Sequence, residues 1–292
     1  MDYEENKMIP KIIHYCWFGN ALKSEKMKFC METWRKFFPD FEIREWSDKD
    51  LYLFENNSYV TEAYKAGKWA FVSDVFRLYA LYEYGGIYLD TDVEIRQSFE
   101  PFLRNGFFIG SEKTIDSKGI GTAIIGADKG NPIIKEMLDL YKDIHFIKPN
   151  KNWNLCSDAE KYDLLANTAR LVSVLKKHQV DTFYTEDKPI KIKNDSYIYP
   201  VDYFCTDSEK SFAVHHFEAS WLPPFSYKNK LILPWFHNSI LLLRKYKKNK
   251  PNAKITLIKS EKLIKKFCEY KEKSFWCLVL YNENFNNKDG LL

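Results

Sequence analysis

The sequence contains no C-x-x-C pair. Its six cysteines, Cys16, Cys30, Cys156, Cys205, Cys268 and Cys277, are scattered along the chain. That excludes a zinc ribbon and a tight disulfide framework. No apolar run approaches the ~20 residues needed to cross a bilayer; residues 240–243 are among the longest. The opening MDYEENKM is acidic and polar, so no secretory leader is read there. The expected location is therefore reducing and cytoplasmic. No internal repeat is visible. Glycine is scarce near the start: residues 9–20 contain only Gly19. A nucleotidyltransferase would need a glycine-rich phosphate loop at that point, and its absence counts against one.

What is present is a 292-residue chain that is 45% apolar. This is enough for one large α/β domain or two small ones, and it excludes wholesale disorder. Aromatic residues make up 17%. They serve a core equally well as pyranose-binding faces, and composition does not separate the two. Charge is uneven. Residues 1–227 carry 29 Lys and Arg against 35 Asp and Glu, while residues 228–292 carry 15 against 5. A basic end on an acidic body points to an anionic partner, with lipid headgroups preferred over nucleic acid. The alternative is a solvated lysine-rich face.

Hydrophobic period and turn residues give the elements. Residues 11–17 read as a buried strand closed by Phe18-Gly19-Asn20. Ser24 caps a helix that Pro39 stops. Residues 41–46 alternate like a second strand, and Ser47 and Asp48 open a short helix. Residues 69–84 form the clearest helix, and Gly85-Gly86 ends it. Residues 87–89 are a short strand running into Asp90. Further strands are expected at 106–110, 122–126 and 212–216, with helices at 132–143 and 162–177. Strands alternating with helices predict an α/β sandwich with a mostly parallel central sheet. Pro223-Pro224 marks a boundary. Residues 235–248 and 258–273 look like basic amphipathic helices. The expected organisation is a domain over 1–227 and a helical basic extension over 228–292, packed on the domain or peripheral on a membrane.

The segment richest in chemistry is WAFVSDVFRLYALYEYGGIYLDTDVE, residues 69–94. Asp90 and Asp92 lie two apart just past a buried strand. Paired carboxylates there suit a hard divalent cation, which takes oxygen ligands and can bridge a diphosphate. Ligands of open α/β sheets bind at the carboxyl ends of the strands. Asp74 and Arg77, three apart on the helix, form either a surface ion pair of little worth or a binding pair. In the second reading, Arg77 grips phosphate through its planar fork and Asp74 takes sugar hydroxyls.

Ala70, Ser73, Asp74, Arg77, Leu81 and the run Gly85-Gly86-Ile87-Tyr88-Leu89-Asp90-Thr91-Asp92 resemble the signature of the family 32 glycosyltransferases with the D-x-D sugar-binding motif. That family includes yeast-type initiating mannosyltransferases and bacterial capsule and lipooligosaccharide transferases. The glucosyltransferase domains of large clostridial toxins share the segment. IPKIIHYCWFG at 9–19 resembles the family's opening I-P-K-x-I-H-x-x-W-x-G, and HHFEASW at 215–221 resembles its closing H-H-x-x-x-S-W. The resemblance implies a GT-A fold, a retaining reaction and a manganese or magnesium ion. It implies that Trp17 stacks on the nucleobase, and that Ser73, Asp74 and Arg77 contact donor sugar and phosphate. Tyr88 and Asp90 would meet the ribose–diphosphate region. Asp92 would ligate the metal directly, with Asp90 through water or the ribose. His216, with His215 as the alternative, would complete the metal shell. Ser220 and Trp221 would close on the diphosphate. Between 111 and 170 this chain has GIGTAIIGA and LLANTARL where relatives carry other residues, so no side chain is carried over there.

The expected function is a retaining, metal-dependent hexosyltransferase with a nucleotide-sugar donor, UDP-hexose first. Its acceptor would be a glycan or lipid-linked intermediate of surface polysaccharide synthesis, such as a capsule, at the cytoplasmic membrane face. The alternatives are a nucleotide-sugar nucleotidyltransferase, a protein-modifying effector and a non-catalytic glycan-binding module.

Overall fold

A computed structural model of the chain describes residues 8–114, 117–149, 158–218, 225–227, 230–234, 253–258 and 277–282. The chain divides into two compact units, residues 1–153 with 160–216, and residues 154–159 with 217–292.

The first unit begins with β1 (Ile12–Trp17), α1 (Glu25–Phe37) and β2 (Glu42–Ser47), then a 3-10 turn (Asp48–Phe54). Next come α2 (Ser58–Lys65), α3 (Trp69–Tyr84), β3 (Gly86–Leu89), β4 (Val93–Ile95), β5 (Phe107–Lys113), β6 (Lys118–Ala127) and α4 (Pro132–Asp139). After α5 (Asp158–Lys161), which straddles the two units, follow α6 (Asn167–Lys177), β7 (Ile190–Lys191), β8 (Ser196–Tyr199), α7 (Val201–Phe204) and β9 (Ala213–His215). The described residues form a seven-stranded sheet in the order β2-β1-β3-β6-β5-β8-β7. Five strands share one direction; β6 and β7 run against it. The sheet is thus largely parallel, with an antiparallel strand inserted at its centre. β4 and β9 pair separately as an antiparallel ribbon.

Alternation along the strands feeds two cores. Tyr88, Phe107, Ile109 and Ile125 face α3, α4 and α6, whereas Ile87, Leu89, Phe108 and Ile124 face α1 and α7. α3 is buried on most sides, through Val72, Val75, Phe76, Leu78, Ala80 and Leu81. Its stop needs both glycines. Gly85 and Gly86 have φ of 67° and 109°, and a Cβ on Gly86 would lie 2.5 Å from the Ile12 carbonyl oxygen. The turn is latched from β1: His14 Nε2 donates to the Gly85 carbonyl at 2.8 Å, and Trp46 Nε1 donates to His14 Nδ1 at 3.3 Å.

Two helices are shorter than their sequence pattern. α4 ends at Asp139 because the next amides of Leu140 and Tyr141 make tighter three-residue bonds to Met137 and Leu138. α6 starts only at Asn167, because Asp163 accepts from the Leu165 amide and turns the chain before it.

Where a helical extension is expected, the described residues from 225 onward form strands. These are β10 (Phe225–Tyr227), β11 (Lys230–Pro234), β12 (Ala253–Ile258) and β13 (Cys277–Asn282), in an antiparallel sheet of order β10-β11-β13-β12. AKITLI and CLVLYN are aliphatic and β-branched runs that fit a pleated surface. The helices expected over 235–248 and 258–273 lie outside the described residues, save Ile258, which ends β12. Among the described residues, no helix is long and apolar enough to cross a membrane.

Candidate active site

The site lies where β3 ends. The Asp90 amide extends the β3–β6 ladder by donating to the Ala123 carbonyl at 2.8 Å. The chain then turns, with Val93 N bonded to the Asp90 carbonyl at 3.0 Å, and enters β4. α1 holds β4 by two bonds: Trp34 Nε1 to the Val93 carbonyl at 2.7 Å, and Ile95 N to Thr33 Oγ1 at 2.9 Å. Asp90 and Asp92 are therefore carried on fixed backbone.

Arg77 is the hub, only 6% exposed. It projects from α3 across the sheet end. Its Nη1 donates to the Thr122 carbonyl at 2.6 Å. Nη2 lies 3.2 Å from Asp74 Oδ1 and 3.4 Å from Asp90 Oδ1. The guanidinium stacks over the Tyr88 ring at 4.5 Å, and the Tyr88 hydroxyl donates to Asp90 Oδ1 at 2.8 Å. Asp74, Arg77, Tyr88 and Asp90 thus form one network around a buried arginine. The pair Asp74–Arg77 is not the weak surface contact that its spacing alone allows.

Asp92, 8% exposed, faces β9. His215 Nε2 lies 3.5 Å from Asp92 Oδ1, and His215 Nδ1 lies 3.3 Å from Glu112 Oε2. Asp90, Asp92 and His215 offer ligand atoms that all lie within 4.8 Å of one another. The first choice from sequence, His216, is not in this group. Its Nε2 donates to Glu94 Oε2 at 2.8 Å, and its amide donates to the Asp92 carbonyl at 3.1 Å. Neighbours on a strand point to opposite sides, and the pairing of β4 with β9 turns His215 toward the carboxylate pair.

Trp17 ends β1 and is half-buried. Its Nε1 donates to the Ala21 carbonyl at 2.7 Å, and Lys23 Nζ stands 5.2 Å from its ring. Ser73 bonds back to the Trp69 carbonyl at 3.1 Å within its own helix. Ser220 and Trp221 lie outside the described residues.

Beside Asp74, four buried polar atoms have no hydrogen-bond partner among the described residues: Arg77 Nε, Tyr141 Oη, Asn167 Oδ1 and Arg170 Nε. Asn167 and Arg170 sit on the first turn of α6, and Asn167 Nδ2 donates to the Asp74 carbonyl at 3.0 Å. Arg170 stacks on Tyr141 at 4.6 Å and pairs with Asp163. Leaving such groups unmatched is costly, so a concentration of them marks a place for a polar ligand or ordered water.

Residues 24–109 match the family model described as "Glycosyltransferase sugar-binding region containing DXD motif". That match runs from the start of α1 through the D-x-D motif into β5. Inositol phosphoceramide mannosyltransferase 3 of Schizosaccharomyces pombe is 28% identical over 144 residues, which is 46% of this chain and 37% of that protein. An uncharacterized glycosyltransferase of Acanthamoeba polyphaga mimivirus is 27% identical over 256 residues, 80% of this chain and 91% of that one. Among solved structures, PaToxG glycosyltransferase aligns with a TM-score of 0.40 at 21% identity, over 59% of this chain and 75% of that chain. The chain thus spans little more than a third of the first yeast mannosyltransferase that it matches.

Around the D-x-D motif the electrostatics follow from burial. Burial raises the Asp74 carboxyl to about 6; Arg77 opposes that rise and Asp90 adds to it. Burial alone would lower Arg77, but Tyr88, Asp90 and Asp74 outweigh it and raise its pKa. Burial would also lower His215, yet Asp92 and Glu112 hold it well above the ordinary histidine value. His216 is lowered, by burial and by Lys26, against the pull of Glu94. Two carboxylates and one imidazole at this spacing fit a divalent cation that accepts mixed oxygen and nitrogen ligands. Sequence reasoning missed Glu112, Tyr141, Asn167 and Arg170. All four lie between 111 and 170, where motif resemblance fails. The one available signal was polar residues beside otherwise apolar runs.

Proposed function

We propose that the chain is a retaining, divalent-metal-dependent glycosyltransferase that moves a hexose from a nucleotide-sugar donor, with UDP-hexose as first choice. One observation carries this reading: a buried arginine fixes Asp90 while Asp90, Asp92 and His215 converge within 4.8 Å. The four orphaned polar atoms beside Asp74 add a second support, since sugar hydroxyls both donate and accept.

In this reading Asp92 and His215 hold the cation, with Asp90 reaching it directly or through water. When bound, the metal supplies positive charge opposite the leaving diphosphate. Arg77 keeps Asp90 in place and contributes its own positive charge. Asp74, with Asn167 and Arg170, orients the sugar. Trp17 offers its ring to the nucleobase; the roles expected of Ser220 and Trp221 fall outside the described residues. Among the described residues no side chain stands out as a covalent nucleophile, so attack of the acceptor hydroxyl on the leaving-group face is preferred, with the departing phosphate taking its proton. The catalytic domain is assigned to residues 1–227, and the basic residues 228–292 to an extension that packs on it or meets an anionic membrane from the cytoplasmic side. The name of the inositol phosphoceramide mannosyltransferase above supports a lipid acceptor and adds mannosyl donors to the UDP-hexoses considered. An acceptor in surface polysaccharide synthesis remains part of the proposal.

The test is donor hydrolysis across a panel of UDP- and GDP-sugars with and without Mn2+. At least one donor should be hydrolysed only with metal, and folded Asp92→Asn should lose that activity. Equal hydrolysis by Asp92→Asn would defeat the metal assignment.

A further inference from the structure

We propose that Glu112 is a positioning residue for the cation site: its carboxylate fixes the His215 ring so that Nε2 faces Asp90 and Asp92. The inference rests on the metal reading above and adds to it a residue outside the matched segment 24–109.

The geometry is specific. The two nitrogens of His215 are shared between two carboxylates, Nε2 toward Asp92 at 3.5 Å and Nδ1 toward Glu112 at 3.3 Å. A carboxylate accepts, so Nδ1 donates to Glu112. Once a cation displaces the Nε2 proton, the Nε2 lone pair lies on the side where Asp90 and Asp92 converge. An imidazole that ligates a metal through one nitrogen is commonly oriented in this way through the other, and removing the orienting partner costs ~10–100-fold in metal affinity.

The backbone is built to let Glu112 reach. The β5–β6 register shifts between Ile109 and Ser111, after which Glu112 pairs with Gly119. Such irregularities re-aim side chains. On β6, Gly119 and Gly121 are two apart and share a face, so neither puts a side chain in the path. A Cβ on Gly121 would come within 2.6 Å of Glu112 Oε2. The missing side chain of Gly121 is the space that the carboxylate occupies. A surface ion pair would need no such accommodation. His215 itself is held by β9, which pairs with β4 directly after Asp92. Glu112 therefore connects the central sheet to the β4–β9 ribbon through His215.

The experiment measures binding rather than turnover. UDP binding, with GDP run beside it, is followed by calorimetry as Mn2+ is raised, for wild type, Asp92→Asn, Glu112→Ala, Glu112→Gln and Gly121→Ala. Wild type should bind the diphosphate more tightly as Mn2+ rises, and Asp92→Asn should not. Glu112→Ala should need ~10–100-fold more Mn2+ for half of the effect. Glu112→Gln, which keeps an acceptor but loses the charge, should fall between. Gly121→Ala should shift the same way as Glu112→Ala, because the added methyl displaces the flexible carboxylate rather than backbone. Metal-free diphosphate binding should be unchanged in all of the Glu112 and Gly121 variants, which a general loss of structure would not leave intact. A wild-type Mn2+ dependence retained in both Glu112→Ala and Gly121→Ala, while Asp92→Asn loses it, overturns the positioning role and leaves the metal reading standing. No Mn2+ effect in wild type, or an undiminished one in Asp92→Asn, overturns both.

Discussion

Replacing Asp74 with asparagine should make the protein more stable above pH 6 while removing its activity. The Asp74 carboxyl is raised from 3.8 to about 6, by burial first and by the nearby Asp90 charge, despite the opposing Arg77. An acid with a raised native pKa binds its proton more tightly when folded. Its contribution to stability is complete below pH ~4 and is lost as pH rises through about 6. A shift of about two units at ~1.4 kcal/mol each amounts to about 3 kcal/mol. His14 conceals this in the wild type. Burial lowers its pKa from 6.5 to about 4, so its contribution is present above pH 6.5 and lost as pH falls through about 4. That is again about 3 kcal/mol, with the opposite slope over nearly the same window. These two contributions oppose each other between pH 4 and 6.5. The Asp74→Asn variant has nothing to titrate at that position, so its difference from the wild type isolates the Asp74 contribution. Urea unfolding in EDTA at half-unit steps from about pH 4.5 to 7 reads the difference. The variant should gain on the wild type steadily with pH, by about 2 kcal/mol or more over the range. Parallel curves, or a variant that loses ground as pH rises, would refute the reasoning that burial dominates at Asp74.

Three further outcomes are expected. Trp17 is half-buried and bonded to a loop carbonyl, so Trp17→Ala should raise the donor KM while costing less than the ~3–5 kcal/mol of a core tryptophan; a large fall in Tm with an unchanged KM would return it to the core. His215→Ala should weaken Mn2+ activation more than His216→Ala, the reverse of the order expected from sequence, because only His215 faces Asp92; metal titration of both variants decides it. The excess of 15 basic over 5 acidic residues in 228–292 should give salt-sensitive sedimentation with phosphatidylglycerol vesicles, at ~1 kcal/mol per lysine near the surface; binding that ignores salt, or none at all, would leave the tail as structure.

The sequence made α3 and its surroundings legible because several local signals coincide there. The apolar spacing over 69–84, the glycine stop and the short strand into Asp90 agree with one another, and Trp69–Tyr84 is the helix observed. Ser24 likewise caps α1 through its bond from Met27 N. Elsewhere the deciding force is not local. Asp163 breaks the expected helix at 162–177 through a side-chain bond that no periodicity records. β4 is three residues long and is held by α1 and β9 rather than by its own composition. In the site, Asp74, Arg77, Tyr88, Asp90 and Asp92 come from one continuous segment and could be read together. The choice between His215 and His216 depended on the pairing of β9 with β4. Glu112 and Asn167 reach the site from 20 and 75 residues beyond Asp92, and only the fold brings them near.

β6 gives the site little in the way of side chains. It supplies the Thr122 carbonyl to Arg77, the Ala123 carbonyl to the Asp90 amide, and at Gly121 the space for Glu112. Two of these contributions are main-chain atoms that an exchange of side chain does not remove. The threonine and the alanine can therefore drift in sequence while the geometry persists. A slip of β6 by one residue against β3 would do the opposite. Every acid, base and arginine would remain in the sequence, yet Arg77 and Asp90 would meet the wrong carbonyls. An enzyme silenced in that way would look intact to any inspection of its motifs, and the lesion would lie in a strand whose residues look replaceable.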